Sequence, residues 1–179
     1  MQHCDTTPDK KHSDDDFWHY ALQLYKQPNV SEQCLILQDK YDLNINLVLL
    51  CCFLGSTQTT IKKVLPALSN NRLLQDWQSQ STAAIRTVRR RVKESFAGVA
   101  GQPSFYQQLL AVELSAEKIE QSLMLDIANN CQLSNSQQDS ITTNIRDYWQ
   151  QQHPSKQTPE ALNGIIKAAR KQLKDIHHR

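Results

Sequence analysis

Apolar residues recur at spacings of three and four from residue 17 onward, and the pattern then closes into an uninterrupted apolar run. Phe17, Ala21 and Leu24, with Trp18, Leu22 and Tyr25 beside them, mark the stripe of a first helix. Asp14–Asp16 place negative charge where its positive dipole end should lie, and Pro28 stops it soon after Lys26. Val30, Cys34, Leu37 and Tyr41 share one face of a second helix, for which Asn29 and Glu32 form a capping-box-like pair. Asn44 caps a third helix, Ile45–Leu54, with Gly55 as its left-handed end. This third helix is apolar nearly all round, which predicts a central, fully buried element.

The rest of the chain continues the helical pattern. Ser56 or Thr57 caps a fourth helix bearing Ile61, Val64, Leu65 and Leu68, kinked or ended at Pro66. A fifth helix over about Arg72–Phe96 carries Leu74, Trp77, Ser81, Ile85, Val88 and Val92 as its seam. Phe96–Gln102 reads as a loop, and Pro103 suits a first helical position. A sixth helix to about Asn129 repeats the seam at Phe105, Leu109, Val112, Ala116, Ile119 and Leu123. Ser134 and Gln137 form a capping box for a helix reaching Trp149, with Ile141, Ile145 and Tyr148 inward. His153–Pro159 reads as a linker. The last helix puts Leu162, Ile165, Ala169, Leu173 and Ile176 on one face and Lys167, Arg170, Lys171 and Lys174 on the other.

These elements predict an all-α fold: a compact multi-helix bundle of about seven helices around a buried apolar central helix, plus a C-terminal amphipathic helix. Residues 1–13 lack periodicity and are expected to be a disordered tail, 14–151 a single helical domain, 152–158 a linker and 159–179 the basic amphipathic helix. There is no internal repeat and no sustained heptad run.

Composition supports helices and excludes several classes. With 179 residues the chain can bury roughly 70% of its unfolded surface. Only four glycines are present, too few for a strand-rich fold with tight turns. A formal charge of +2 does not by itself imply nucleic acid. The five cysteines include no CxxC pair, and Cys34, Cys51 and Cys52 lie in apolar runs, which predicts reduced thiols and a cytoplasmic setting. The polar, acidic start is no signal peptide, and the longest apolar run, Leu47–Leu54, is far short of the roughly 20 residues of a membrane span.

Several ordered motifs carry a family resemblance. FWHYALQLY, PNV, CLILQD and LNINLVLLCCF, then Trp77, IRTVRRRVK and VELSAEKIEQ, resemble a family of short bacterial cytosolic proteins grouped as a conserved domain of unknown function. The resemblance covers about residues 17–130 and implies an all-helical fold; it implies no activity. Residues 131–179 carry no such likeness.

Four constellations bear on function. Gln38, Asp39, Asn44 and Asn46 form a polar island among core positions, and such groups must be paired or serve a purpose. Asp39 is expected to hold Arg86 or Arg89, making the island either a structural bolt or the edge of a ligand pocket. Arg86, Arg89, Arg90 and Lys93 form a basic helix face, either solvated or a seat for an acidic protein or for phosphate. No two histidines stand four apart, so no metal site and no cofactor are expected. Glu113 and Glu117 read as a solvated helix face, and no nucleophile or phosphate-loop motif occurs. The leading expectation is a non-enzymatic adaptor binding an acidic protein partner through its basic helices. The alternatives are RNA or DNA binding through Arg86–Lys93 and the last helix, and a small-ligand protein or enzyme with a polar site near Asp39, Asn46 and Arg86.

Overall fold

The computed structural model describes residues 12–131 and 139–177, with side chains through Asp175. The described chain folds into helices α1 (Asp14–Tyr25), α2 (Val30–Tyr41), α3 (Ile45–Ser56), α4 (Val64–Asn70), α5 (Arg72–Trp77), α6 (Ala83–Ser95), α7 (Gln102–Asn130), α8 (Ser140–Gln152) and α9 (Glu160–His177). A π-helical turn, Gln78–Thr82, joins α5 to α6. No strand occurs among the described residues.

The apolar α3 is the hub. Val48, Leu50, Cys51, Cys52 and Leu54 are each 0% exposed, and α1, α2, α7, α8 and α9 all pack on this helix. Its start is capped as expected: Asn44 Oδ1 accepts from the Leu47 amide at 3.1 Å. Its end differs from expectation. Gly55 lies inside the helix, and Gln58 (φ 57°) takes the left-handed position instead. Gly55 is needed for space: a Cβ there would sit 2.5 Å from Ile141 Cα and 2.6 Å from Ile141 N. That contact is with backbone, so no side-chain rotation relieves it.

The partner of this contact is α8, which runs antiparallel to α3. Gly55 meets Ile141, the Cys51 carbonyl accepts from Asn144 Nδ2 (3.2 Å), and the Asn44 amide donates to Tyr148 Oη (3.1 Å). Asn144 is 0% exposed and fully used: it also donates to the Thr59 carbonyl (2.8 Å) and accepts from the Ile61 amide (2.9 Å). It thereby pins the irregular 57–63 segment to the core, where the sequence pattern suggested a helix starting at Ser56 or Thr57. The fourth helix starts only at Val64, with Pro66 in its first turn, where a missing N–H costs nothing.

Other local expectations change for physical reasons. Asn29 adopts a left-handed conformation (φ 65°) and its side chain makes no capping bond. Asp139 caps α8 by accepting from the Thr142 amide; the expected Ser134–Gln137 box lies outside the described residues, as does most of the expected N-terminal tail. Ser13 belongs to the fold as the cap of α1. Helix α9 docks on its own chain: Leu162, Ile165 and Ala169 are 0% exposed in the common core, and Gln172 reaches the Tyr20 carbonyl. Burial raises the Cys34 thiol to about 12 and holds Cys51 and Cys52 well above the ordinary range, so these cysteines act as packing atoms.

The largest departure is in α7. Its expected seam is half open to solvent, with Phe105, Val112 and Ile119 at 49%, 50% and 45% exposure. The face turned inward carries Glu113, Ala116, Glu120, Gln121, Met124, Leu125 and Ala128. A helix that exposes aliphatic residues while burying carboxylates is held by specific pairing, not by apolar burial alone.

The Gly55 contact gives a direct test. Gly55→Ala is expected to destabilise the protein by about 2–3 kcal/mol, because the added methyl must push two backbones apart. Equilibrium urea unfolding checks this, and an unchanged midpoint would contradict the antiparallel α3–α8 contact.

Candidate functional site

A groove of about 750 Å³ opens between α1, α2 and the start of α3 on one side and the α5–α7 segment on the other. Its rim is apolar, with Trp18, Leu22, Tyr25, Leu35, Leu110 and Leu114. Trp18, Leu22 and Tyr25 are the residues of the α1 stripe that do not enter the core, which explains why that pattern is wider than one buried face. The floor is polar, and α7 contributes Glu113, Glu117, Glu120 and Gln121 to it.

An ion-pair cluster closes one end. Arg86 donates from Nε to Glu113 Oε1 (2.9 Å) and from Nη2 to Glu117 Oε1 (2.6 Å). Arg89 forks onto the same Glu113, from Nε to Oε2 and from Nη2 to Oε1, and its Nη1 lies 3.5 Å from Tyr106 Oη. The Glu113 side chain is only 8% exposed, and the two guanidinium groups supply both of its oxygens with charge-assisted donors. Burial lifts the Glu117 carboxyl above its ordinary range even though Arg86 pulls it down, and Glu113 and Glu120 add to the rise. Burial also works to lower Arg86, but Glu117 and Glu113 outweigh it and the guanidinium is held more firmly protonated than usual.

Deeper in the groove the pairing is incomplete. Glu120 is 1% exposed and has no cation beside it among the described residues. Its Oε1 accepts from Asn44 Nδ2 (2.7 Å) and Gln78 Nε2 (3.3 Å), while its Oε2 takes no described hydrogen bond. Next to it, Gln121 Nε2 donates to Asn46 Oδ1 (2.9 Å), which leaves Gln121 Oε1 buried without a partner. Thr82 Oγ1 is likewise buried and unpartnered. Thr82 ends the π-helical turn, whose Gln78, Ser79 and Thr82 all line the groove. The extra residue of a π turn re-aims the side chains that follow, and such turns recur at functional sites.

The structure brings together part of what the sequence singled out. Gln38, Asn46, Arg86 and Arg89 line this groove. Asp39 does not, and its partner is Arg90 (2.7 Å) instead of Arg86 or Arg89. That pair is exposed, at 39% and 54%, because α2 turns Asp39 outward while Gln38 faces the groove. Lys93 and Arg91 are exposed on the outer face of α6. Glu113 and Glu117, expected on a solvated face, are the anions that hold α6. Glu120, Gln121, Gln78 and Thr82 were not singled out by sequence reasoning. A signal existed: Glu113, Glu117, Glu120 and Met124 repeat at four, three and four, and that stripe runs on into the buried Ala128. Among the described residues no group of three or more His, Cys, Asp or Glu could hold a metal ion, and no helix is long and apolar enough to cross a membrane.

The two ion-pair systems should differ in strength. Glu113→Ala is expected to cost about 3 kcal/mol, since it leaves the partly buried Arg89 without an anion and Arg86 with Glu117 alone. Asp39→Ala should cost less than about 1 kcal/mol, as an exposed pair. Paired urea melts of the two variants decide which acid holds α6 to the body, and a larger loss at Asp39 would reverse the assignment.

The chain matches none of the curated proteins and none of the solved structures it was compared with. Residues 16–124, which include every residue lining the groove, match the model of a family described as protein of unknown function (DUF2390), and the chain belongs to that family.

Proposed function

We propose that this chain is a binding protein for a small organic cation, an ammonium or guanidinium group on an apolar body, held in the groove between α2 and α7. The observation that carries this reading is Glu120, a carboxylate buried to 1% exposure with two amide donors on one oxygen and no counter-ion among the described residues. A buried carboxylate ordinarily has a charged partner. The groove as a whole points the same way. Its lining includes Asp42, Glu113, Glu117 and Glu120 against Arg86 and Arg89 only, a balance of two negative charges when all six are ionised.

The unpartnered atoms fit such a guest. An ammonium has three N–H donors and no acceptor. Gln121 Oε1 and Thr82 Oγ1 are buried acceptors without donors, and Glu120 Oε2 on the same groove wall takes no described hydrogen bond. The leucines of the rim, with Trp18 and Tyr25, supply the apolar body's contacts. A cytoplasmic setting is part of this proposal, because Cys34, Cys51 and Cys52 are free thiols.

A seat for an acidic protein or for nucleic acid on Arg86, Arg89, Arg90 and Lys93 is less well supported. Arg86, Arg89 and Arg90 already serve Glu113, Glu117 and Asp39. A polyanion would have to displace these carboxylates, leaving Glu113 buried and unpaired.

The test uses n-hexylammonium and n-hexylguanidinium as probes, with hexanoate as the anionic control. At ten times its dissociation constant a bound probe should add about 1.4 kcal/mol to stability. For a domain of this size that raises Tm by roughly 3–5 °C. Hexanoate should leave Tm unchanged, and Glu120→Gln should remove the shift produced by both cations. Equal shifts by hexanoate, or cation binding that survives Glu120→Gln, would overturn the proposal.

A further inference from the structure

A second groove lies on another part of the molecule and carries the opposite charge. It has a volume of about 960 Å³ and is bounded by the α1–α2 turn, α2, α8 and α9. Arg146 comes from α8, and Lys167, Arg170, Lys171 and Lys174 come from α9. On α9 these four stand at i, i+3, i+4 and i+7, a single stripe. Glu160 is the one acidic residue of the lining, so the groove carries a net charge of +4. The whole chain carries +2, and everything outside the groove therefore sums to −2. The positive charge of this protein is concentrated in one concave place, where low-dielectric walls focus its field.

The groove also holds unpartnered polar atoms. Thr142 Oγ1 and Gln33 Oε1 are buried without a hydrogen-bond partner, and both residues line it. Gly164 gives Gln33 its place: a Cβ at Gly164 would sit 2.1 Å from Gln33 Nε2, so the amide lies directly against the α9 backbone. Arg170 is occupied by Asp139, which leaves Arg146, Lys167, Lys171 and Lys174 exposed around these two polar atoms.

We propose that this groove binds a small phosphate ester with a hydroxyl-bearing skeleton, the chemistry shared by sugar phosphates and nucleotides. The four unengaged cations take the phosphate. The Thr142 hydroxyl donates to a phosphate oxygen, and Gln33 Oε1 accepts from a hydroxyl of the skeleton. A long polyanion fits less well. The basic stripe spans seven residues of α9, about 10 Å along the helix axis, and the net negative remainder of the molecule opposes extension of a strand beyond it. This site is independent of the cation groove, with which it shares no lining residue.

The experiment is calorimetric titration of the full chain at about 50 mM salt, where surface electrostatics are not fully screened. The probes are inorganic pyrophosphate, ribose 5-phosphate, ADP and a 12-nucleotide RNA. Ribose 5-phosphate or ADP should bind more tightly than pyrophosphate, and whichever of the two binds better identifies the source. Lys171→Gln combined with Arg146→Gln should weaken that binding at least tenfold; both positions are exposed, and circular dichroism confirms the fold. Thr142→Val should weaken it severalfold, whereas Thr142→Ser should not. Three results would each overturn the proposal: no heat from any small phosphate at millimolar concentration, affinity unchanged in the double variant, or tight binding by RNA alone.

Discussion

Carboxylates on the inward face of α7 must be supplied with donors, and the arrangement of half the molecule follows from that requirement. Glu113 and Glu117 take Arg86 and Arg89 from α6, and Glu120 takes Asn44 and Gln78 from the start of α3 and the π-helical turn. Apolar packing would not choose this orientation, because it leaves Val112 and Ile119 half in water. Pairing chooses it. Ion pairs buried in this way seldom add much net stability over apolar replacements, but removing one partner is costly, so they fix a geometry more than they deepen a well. The geometry fixed here is the width and polarity of the groove between α2 and α7.

The π-helical turn is the other half of that constraint. A continuous helix over about residues 72–96 would keep Leu74, Trp77, Ser81, Ile85, Val88 and Val92 on one seam, and Leu74 and Val92 are buried. In the structure Trp77 Nε1 donates to the Ala116 carbonyl, fixing α5 on α7, while Val88 is 48% exposed beyond the turn. Beyond the turn, α6 presents Arg86 and Arg89 to Glu113.

Legibility in the sequence divides along the same line. The apolar α3 was legible because its composition alone demands burial on every side, and Asn44 because a capping residue acts on its immediate neighbours. The helices themselves followed from spacing. What spacing could not show is which of two faces on α7 turns inward: the more apolar one won by periodicity, and long-range pairing with residues about 27 positions upstream overrode it. The π turn leaves no mark in hydropathy, since it shifts phase by one residue between segments that are each periodic. Asp39 was correctly expected to hold an arginine, but i and i+4 arginines on one helix are not distinguishable by sequence, and the partner proved to be Arg90. Gly55 read as a helix end because a glycine after an apolar run commonly is one; its close approach to Ile141 is a tertiary fact.

The family match and the architecture together place a limit on what the groove needs. Every lining residue of the groove between α2 and α7 falls within residues 16–124. Yet α3 cannot be covered by that stretch alone, because its longest contact is with α8, where Ile141, Ile145, Tyr148 and Trp149 are almost completely buried. Tyr148 also takes the Asn44 amide, and Asn44 is the residue that both caps α3 and donates to Glu120. The floor of the groove is therefore positioned from behind by a helix outside the matched residues. Any chain that keeps the acidic face of α7 and the apolar α3 must bring something equivalent to α8 to the far side of α3, or the donor to Glu120 is left without a fixed place from which to act.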